Sequence, residues 1–99
     1  MTSKQRAFLR GMASTIDTIV IVGKGGITEN VIAQVNDALT ARELIKGKVL
    51  ESSLLTAGEA CEALAAACKA EQVQHIGSKF VLYRRNAKEP MIELPKAKK

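Results

Sequence analysis

The stretch Val22-Gly23-Lys24-Gly25-Gly26-Ile27-Thr28 follows the apolar run Ile19-Val20-Ile21-Val22 and precedes an amphipathic segment that starts near Thr28. A strand therefore runs into a glycine-rich turn that opens a helix. Glycines keep side chains out of the way of an approaching group and can take backbone angles with φ > 0. The following helix offers N–H groups outside its own ladder and the positive end of its dipole. Lys24 adds a full charge at the tip. These parts make an anion site, with phosphate the obvious anion. They also fit a tight strand-to-helix turn that needs glycine for its geometry alone.

Charge narrows the class of partner. Fifteen Lys and Arg against ten Asp and Glu leave a net +5 on 99 residues, which favours nucleic acid or another polyanion. Aromatic residues are limited to Phe8, Phe80 and Tyr83, with no Trp. A surface that stacks bases on rings needs more than this, so backbone contacts would have to carry RNA binding. No apolar run approaches the length of a membrane span and no signal-peptide pattern is present, so the expected compartment is the cytoplasm. Cys61 and Cys68 lie seven residues apart on an expected helix, about 10 Å at 1.5 Å per residue. That exceeds the roughly 7 Å limit for a disulfide. Neither belongs to a Cys-x-x-Cys pair, so both read as small core residues and no metal is expected.

Along the chain, Thr2 and Gln5 form a capping-box pattern for a first helix ending near Ala13, with Lys4, Arg6 and Arg10 on or near its polar side. Three cations with no acid fit either a solvated face or a contribution to binding. Thr18–Val22 is apolar almost throughout and reads as a central strand covered on both faces. Thr28 is the expected N-cap of a helix running to about Ala41. Leu44–Glu51 reads as a second strand, parallel to the first, with Lys46 and Lys48 on one face. Gly47 inside it signals a bulge or a close backbone approach. Thr56 and Glu59 cap a third helix to about Ala70. Gln72–Ile76 and Lys79–Arg84 are two more strands, joined at Gly77-Ser78 by a type II′ hairpin signal. Met91–Leu94 suggests a short edge segment. The fold expected is a single α/β domain, α-β-α-β-α-β-β, with a mixed four-stranded sheet packed by three helices. It covers residues 1–95, and the basic tail 96–99 is expected to be disordered.

The loop fails the usual nucleotide fingerprints. A P-loop needs Ser or Thr after Gly-Lys, where Gly25 stands, and the dinucleotide pattern needs glycine where Thr28 stands. The single His75 lies in an expected strand, and nothing brings it to Cys61 or Cys68. No enzyme and no cofactor is expected. What remains is Gly-x-x-Gly between a strand and a helix, a loop that KH domains use to clamp a nucleic-acid backbone.

Four blocks then carry a wider resemblance: Leu9-Arg10-Gly11-Met12-Ala13; Ile21-Val22-Gly23 with Gly26-Ile27-Thr28; Glu43-Leu44-Ile45-Lys46-Gly47-Lys48-Val49; and Ile76-Gly77 with Val81-Leu82-Tyr83-Arg84. In this order, from about Lys4 to Pro95, the chain resembles the CRM (chloroplast RNA splicing and ribosome maturation) domain, and within it the stand-alone bacterial YhbY-like proteins. The resemblance implies an RNA-binding fold similar to the C-terminal domain of translation initiation factor 3. It also implies association with precursors of the large ribosomal subunit. Its loop maps onto Gly23 and Gly26, with Lys24 and Gly25 as the variable tip, its strand lysines onto Lys46 and Lys48, and its Tyr-Arg onto Tyr83 and Arg84. The chain departs from the family pattern at Gly47, where a β-branched residue is expected, and at Ser14 and Asp17, where His and Pro are common. The expected RNA-binding set is Gly23, Lys24, Gly25, Gly26, Thr28, Lys46, Lys48, Arg6, Arg10 and Arg84, on a monomer. The alternative is a small non-enzymatic adaptor or anion-sensing domain that binds acidic protein surfaces.

Overall fold

A computed structural model describes residues 2–86 together with Lys88, Pro90 and Ile92. The order is α1 (Ser3–Ala13), β1 (Thr18–Val22), α2 (Glu29–Arg42), β2 (Leu44–Val49), α3 (Ala57–Cys68), β3 (Glu71–Ile76) and β4 (Lys79–Tyr83). The expected tail 96–99 and the limit at Pro95 fall outside the described residues, as does most of Met91–Leu94. Both capping boxes form. Thr2 Oγ1 accepts from the Gln5 N–H at 3.1 Å while Gln5 Oε1 accepts from the Thr2 N–H at 3.0 Å. Thr56 and Glu59 repeat the exchange at 3.1 and 2.9 Å. Each box satisfies two N–H groups that the helix itself cannot. Helix α3 stops at Cys68, short of the expected Ala70, because Lys69 takes a left-handed backbone with φ 54°.

The sheet is mixed, in the order β1-β2-β4-β3. β1 and β2 are parallel, and the β2/β4 and β3/β4 pairs are antiparallel. Only Gly77 has positive φ in the Gly77-Ser78 hairpin, the pattern of a type II′ turn. Helices α2 and α3 cover one face, where Val20, Val22, Ile45, Val49, Phe80 and Leu82 meet Val35, Leu39, Cys61 and Leu64. Helix α1 packs on the other face through Leu9 and Ala13 against Leu44, Val73, Val81 and Tyr83.

The expectation of a central, doubly covered β1 is corrected. It is an edge strand, and Ile19 and Ile21 remain 37% and 54% exposed. Its apolar run reflects a fully packed α2 side, while α1 seats on residues of β2, β3 and β4 and leaves Ile21 open.

Gly47 is explained by a close approach. Its cross-strand partner is Phe80, a fully buried ring. A Cβ on Gly47 would overlap Phe80 Cζ and lie 2.6 and 2.8 Å from the two Cε atoms. The ring thus occupies the volume where a side chain would stand, and glycine is the residue that leaves room for it.

A buried acid ties the segment after β4 to the rest. Glu43, at the end of α2, is fully buried with φ 64°. Its carboxylate accepts the backbone N–H of Asn86 and of Ile92, each at 2.6 Å, and its carbonyl accepts the Arg84 N–H at 2.9 Å. Glu43→Gln keeps the shape but leaves a single side-chain acceptor before two amides. We expect a loss of about 2–3 kcal/mol, read as a lower urea midpoint at unchanged m-value. A midpoint equal to wild type would show that these bonds contribute nothing net.

Candidate nucleic-acid interface

The Gly-x-x-Gly loop is a closed turn. The Gly26 N–H donates to the Gly23 carbonyl at 3.0 Å, and neither Lys24 nor Gly25 has positive φ. This is the pattern of a type I turn with glycine at its last position. Gly26 alone is left-handed, at φ 70°, so it is the glycine the backbone requires. Lys24 and Gly25 form the exposed tip. Thr28 then caps α2 in extended conformation, its Oγ1 accepting the Val31 N–H at 3.2 Å. The tip therefore stands beside the N-terminus of a fourteen-residue helix, where the backbone dipole favours negative charge.

The sequence did not mark what holds this loop from below. Built Cβ atoms at Gly23 and Gly26 would lie 3.7 Å from Leu50 Cδ1 and 3.8 Å from Leu55 Cδ1. Both leucines belong to the β2–α3 connection, whose Leu50 N–H also donates to the Val22 carbonyl at 2.9 Å. The N-terminus of α3 opens from this connection, so α2 and α3 both begin at the carboxyl end of the parallel strands. Open α/β sheets take ligands at that end.

The expected basic residues are placed unequally. Lys46 is half-buried and Lys48 exposed, on the face opposite α2 and α3. Arg6 and Arg10 are on α1, which packs against that same face. Arg84 is elsewhere. Its Nη1 donates to Asn36 Oδ1 at 2.5 Å and to the Cys68 carbonyl at 2.9 Å. Its Nη2 donates to the Asn36 carbonyl at 3.0 Å and to Thr40 Oγ1 at 2.8 Å. Asn36 lies eight residues beyond Thr28, about 12 Å along the helix axis. The structure thus gives Arg84 a bracing position between the C-terminal halves of α2 and α3, and does not bring it to the loop.

Of the remaining reactive side chains, both cysteines and Tyr83 are buried, while His75 is exposed. Cys61 and Cys68 are free and buried. Burial pushes the Cys61 thiol up to about 11, the opposite of what an activated nucleophile requires. Burial likewise raises Cys68 against the opposing field of Arg84. Burial, and secondarily the Glu43 charge, raises Tyr83. The His75 ring rests over Gly58, where a Cβ would come within 3.1 Å of its Cε1. Among the described residues, no group of three or more His, Cys, Asp or Glu could hold a metal ion, and no helix is long and apolar enough to cross a membrane.

Fold and loop together define a class: small α/β domains in which a Gly-x-x-Gly turn carries a parallel strand into a helix. Within it, the chain belongs to the CRS1/YhbY (CRM) domain family, whose model matches residues 1–84. The chain is 42% identical over 95 residues to "Probable RNA-binding protein YqeI" of Bacillus subtilis, covering 96% of this chain and 99% of that protein. It is 40% identical over 96 residues to an "RNA-binding protein" of Haemophilus influenzae, covering 97% and 96%. The solution structure of a Staphylococcus aureus protein superposes with a TM-score of 0.80 at 46% identity, covering 96% of this chain and 99% of that one.

Proposed function

We propose that this protein is a monomeric, non-enzymatic RNA-binding protein of the cytoplasm that associates with precursor RNA of the large ribosomal subunit. The observation that carries it is the loop: an exposed Lys24-Gly25 tip on a closed turn beside the α2 N-terminus. The backbone amides of the loop and the first turn of α2 hold phosphate, Lys24 adds charge, and Lys46, Lys48, Arg6 and Arg10 extend the electrostatic footprint. Arg84 contributes by bracing the helices. RNA binding is supported by the names of the CRM-family relatives and by the +5 charge. The ribosomal assignment draws on the resemblance to stand-alone bacterial members. Phosphate contacts position a protein without reading sequence, so RNA shape would select the site.

Salt titration tests the binding mode. With about four to six phosphates neutralised, log K should fall against log salt by about 0.7 per contact on single strands, nearer 0.9 on duplex. Tight binding with a flat salt dependence would sink the electrostatic model and point to base stacking or to a protein partner. Co-sedimentation of the endogenous protein on a ribosome gradient tests the assignment. It should migrate with large-subunit precursors and leave them after RNase, and a protein that stays at the top of both gradients would refute it.

A further inference from the structure

We propose that the cavity between the β2–α3 connection and the Gly77-Ser78 turn takes an unpaired guanine base, and that the Glu51 carboxylate accepts the two N–H donors of its base-pairing edge. This rests on the RNA-binding reading above and adds to selection by shape a residue that reads sequence.

The cavity has a volume of about 330 Å³, within the roughly 300–1,000 Å³ of sites that enclose small organic groups. Val49, Leu50, Leu55 and Ala57 give it apolar walls, and Glu51 is its one charged lining residue among the described residues. Leu50 and Leu55 are the same leucines that lie beneath Gly23 and Gly26, so loop and cavity share a wall. A strand held by its phosphate at the loop therefore brings a base to the cavity. Two local bonds shape the connection in advance. The Ser53 N–H donates to the Leu50 carbonyl at 3.0 Å, and Ser53 Oγ accepts the Leu55 N–H at 3.2 Å. Glu51 stands inside the first of these turns. It is exposed, and its carboxylate has no protein partner among the described residues.

The lining chemistry selects the occupant. With a carboxylate and no cation, the cavity suits a group that donates hydrogen bonds and does not suit a second phosphate. Unpaired bases are recognised in this way, with the faces against apolar side chains and the base-pairing edge hydrogen-bonded. A carboxylate accepts only, through two oxygens side by side. Guanine alone among the four bases presents two adjacent donors on that edge, its N1–H and its 2-amino group. Adenine, cytosine and uracil each offer one donor beside an acceptor that would face carboxylate oxygen. Leu54, which lies between two lining residues in the chain, leaves 97% of its surface in solvent. A base at the mouth would cover part of it, and burial of that surface is favourable.

The test is binding of the full chain to uridine oligomers that carry one central guanosine, inosine or adenosine. Inosine differs from guanosine only in lacking the 2-amino group, so it removes one of the two donors. We expect guanosine to bind about three- to tenfold tighter than inosine, and adenosine no tighter than inosine. Both affinities should fall with salt while their ratio stays constant, because a base contact releases no counterions. Glu51→Ala should abolish the ratio at an unchanged melting temperature. Its affinity for the inosine oligomer should be equal or higher, since an acid has been taken away from the RNA. Equal binding of guanosine and inosine by the wild type, or a preference that survives Glu51→Ala, overturns the proposal. If Lys24→Asp/Gly25→Asp still loses RNA in that case, the loop reading stands without the cavity. Failure of the wild type to bind any of the oligomers would overturn both.

Discussion

Lys24→Asp combined with Gly25→Asp should lower RNA affinity about tenfold to a hundredfold and leave the fold intact. The fold survives because the turn asks little of these two positions. Neither takes positive φ, and a Cβ on Gly25 would meet Thr28 Cγ2 at 3.5 Å, an ordinary van der Waals contact. Gly26, which does need its left-handed angle, stays. Carboxylates near the start of α2 suit its dipole, so the melting temperature should hold or rise slightly. The phosphate site should not survive. One cation goes, two carboxylates arrive where phosphate would lie, and the local amides gain internal acceptors. Each effect is worth on the order of 1 kcal/mol, and 1.4 kcal/mol is a tenfold change in affinity. Circular dichroism, melting temperature and RNA binding belong on the same sample. A folded double variant that binds like wild type would make Gly23–Gly26 a turn and nothing more.

Among the glycine-to-alanine exchanges, Gly47→Ala is the one whose added methyl group should meet the severest overlap. It enters space held by Phe80, whose ring is fully buried and whose Cε1 would lie 2.6 Å from the new Cβ. The ring cannot swing to solvent, so it must leave its rotamer or push the strands apart. Overpacking of this kind costs about 1–3 kcal/mol, and 1 kcal/mol moves the melting temperature of a domain this size by about 4–8 °C. Phe80→Leu also destabilises on its own, through lost packing. Combined with Gly47→Ala it should cost less than the two single losses added together, because the smaller side chain makes room for the methyl group. A thermal or urea double-mutant cycle measures this. Strict additivity would show that ring and glycine do not compete for the same space.

Much of the fold was legible because its signals are local. The Thr2/Gln5 and Thr56/Glu59 boxes, the Gly77-Ser78 turn and the strand-to-helix loop are each written within a few residues, and each formed as expected. What escaped depends on contacts between distant segments. The apolar run of β1 could not show that it lies at an edge, since that follows from where α1 comes to rest. Glu43 ends α2 at positive φ without the usual glycine, and the amides that hold its carboxylate come from Asn86 and Ile92. Arg84 sits next to Tyr83 in a block resembling the family motif, yet only the packed structure reveals Asn36, Thr40 and the Cys68 carbonyl around its guanidinium. The loop's own residues were readable; Leu50 and Leu55 beneath it were not, because their connection meets the loop only after β1 and β2 pair.

The place of β4 between β2 and β3 sets a timetable for synthesis. Strand β2 receives its second neighbour, and β3 its neighbour in the sheet, only from β4. While the chain is still being made, an emerged β2 therefore keeps a bare edge, the kind of edge that recruits other strands. Helix α1 leaves the ribosome first, but its seat includes Val81 and Tyr83, so it waits for almost everything that follows. Closure by such distant pairings is slower than closure of local ones. The interval before Tyr83 emerges is when this protein most needs either speed or a chaperone.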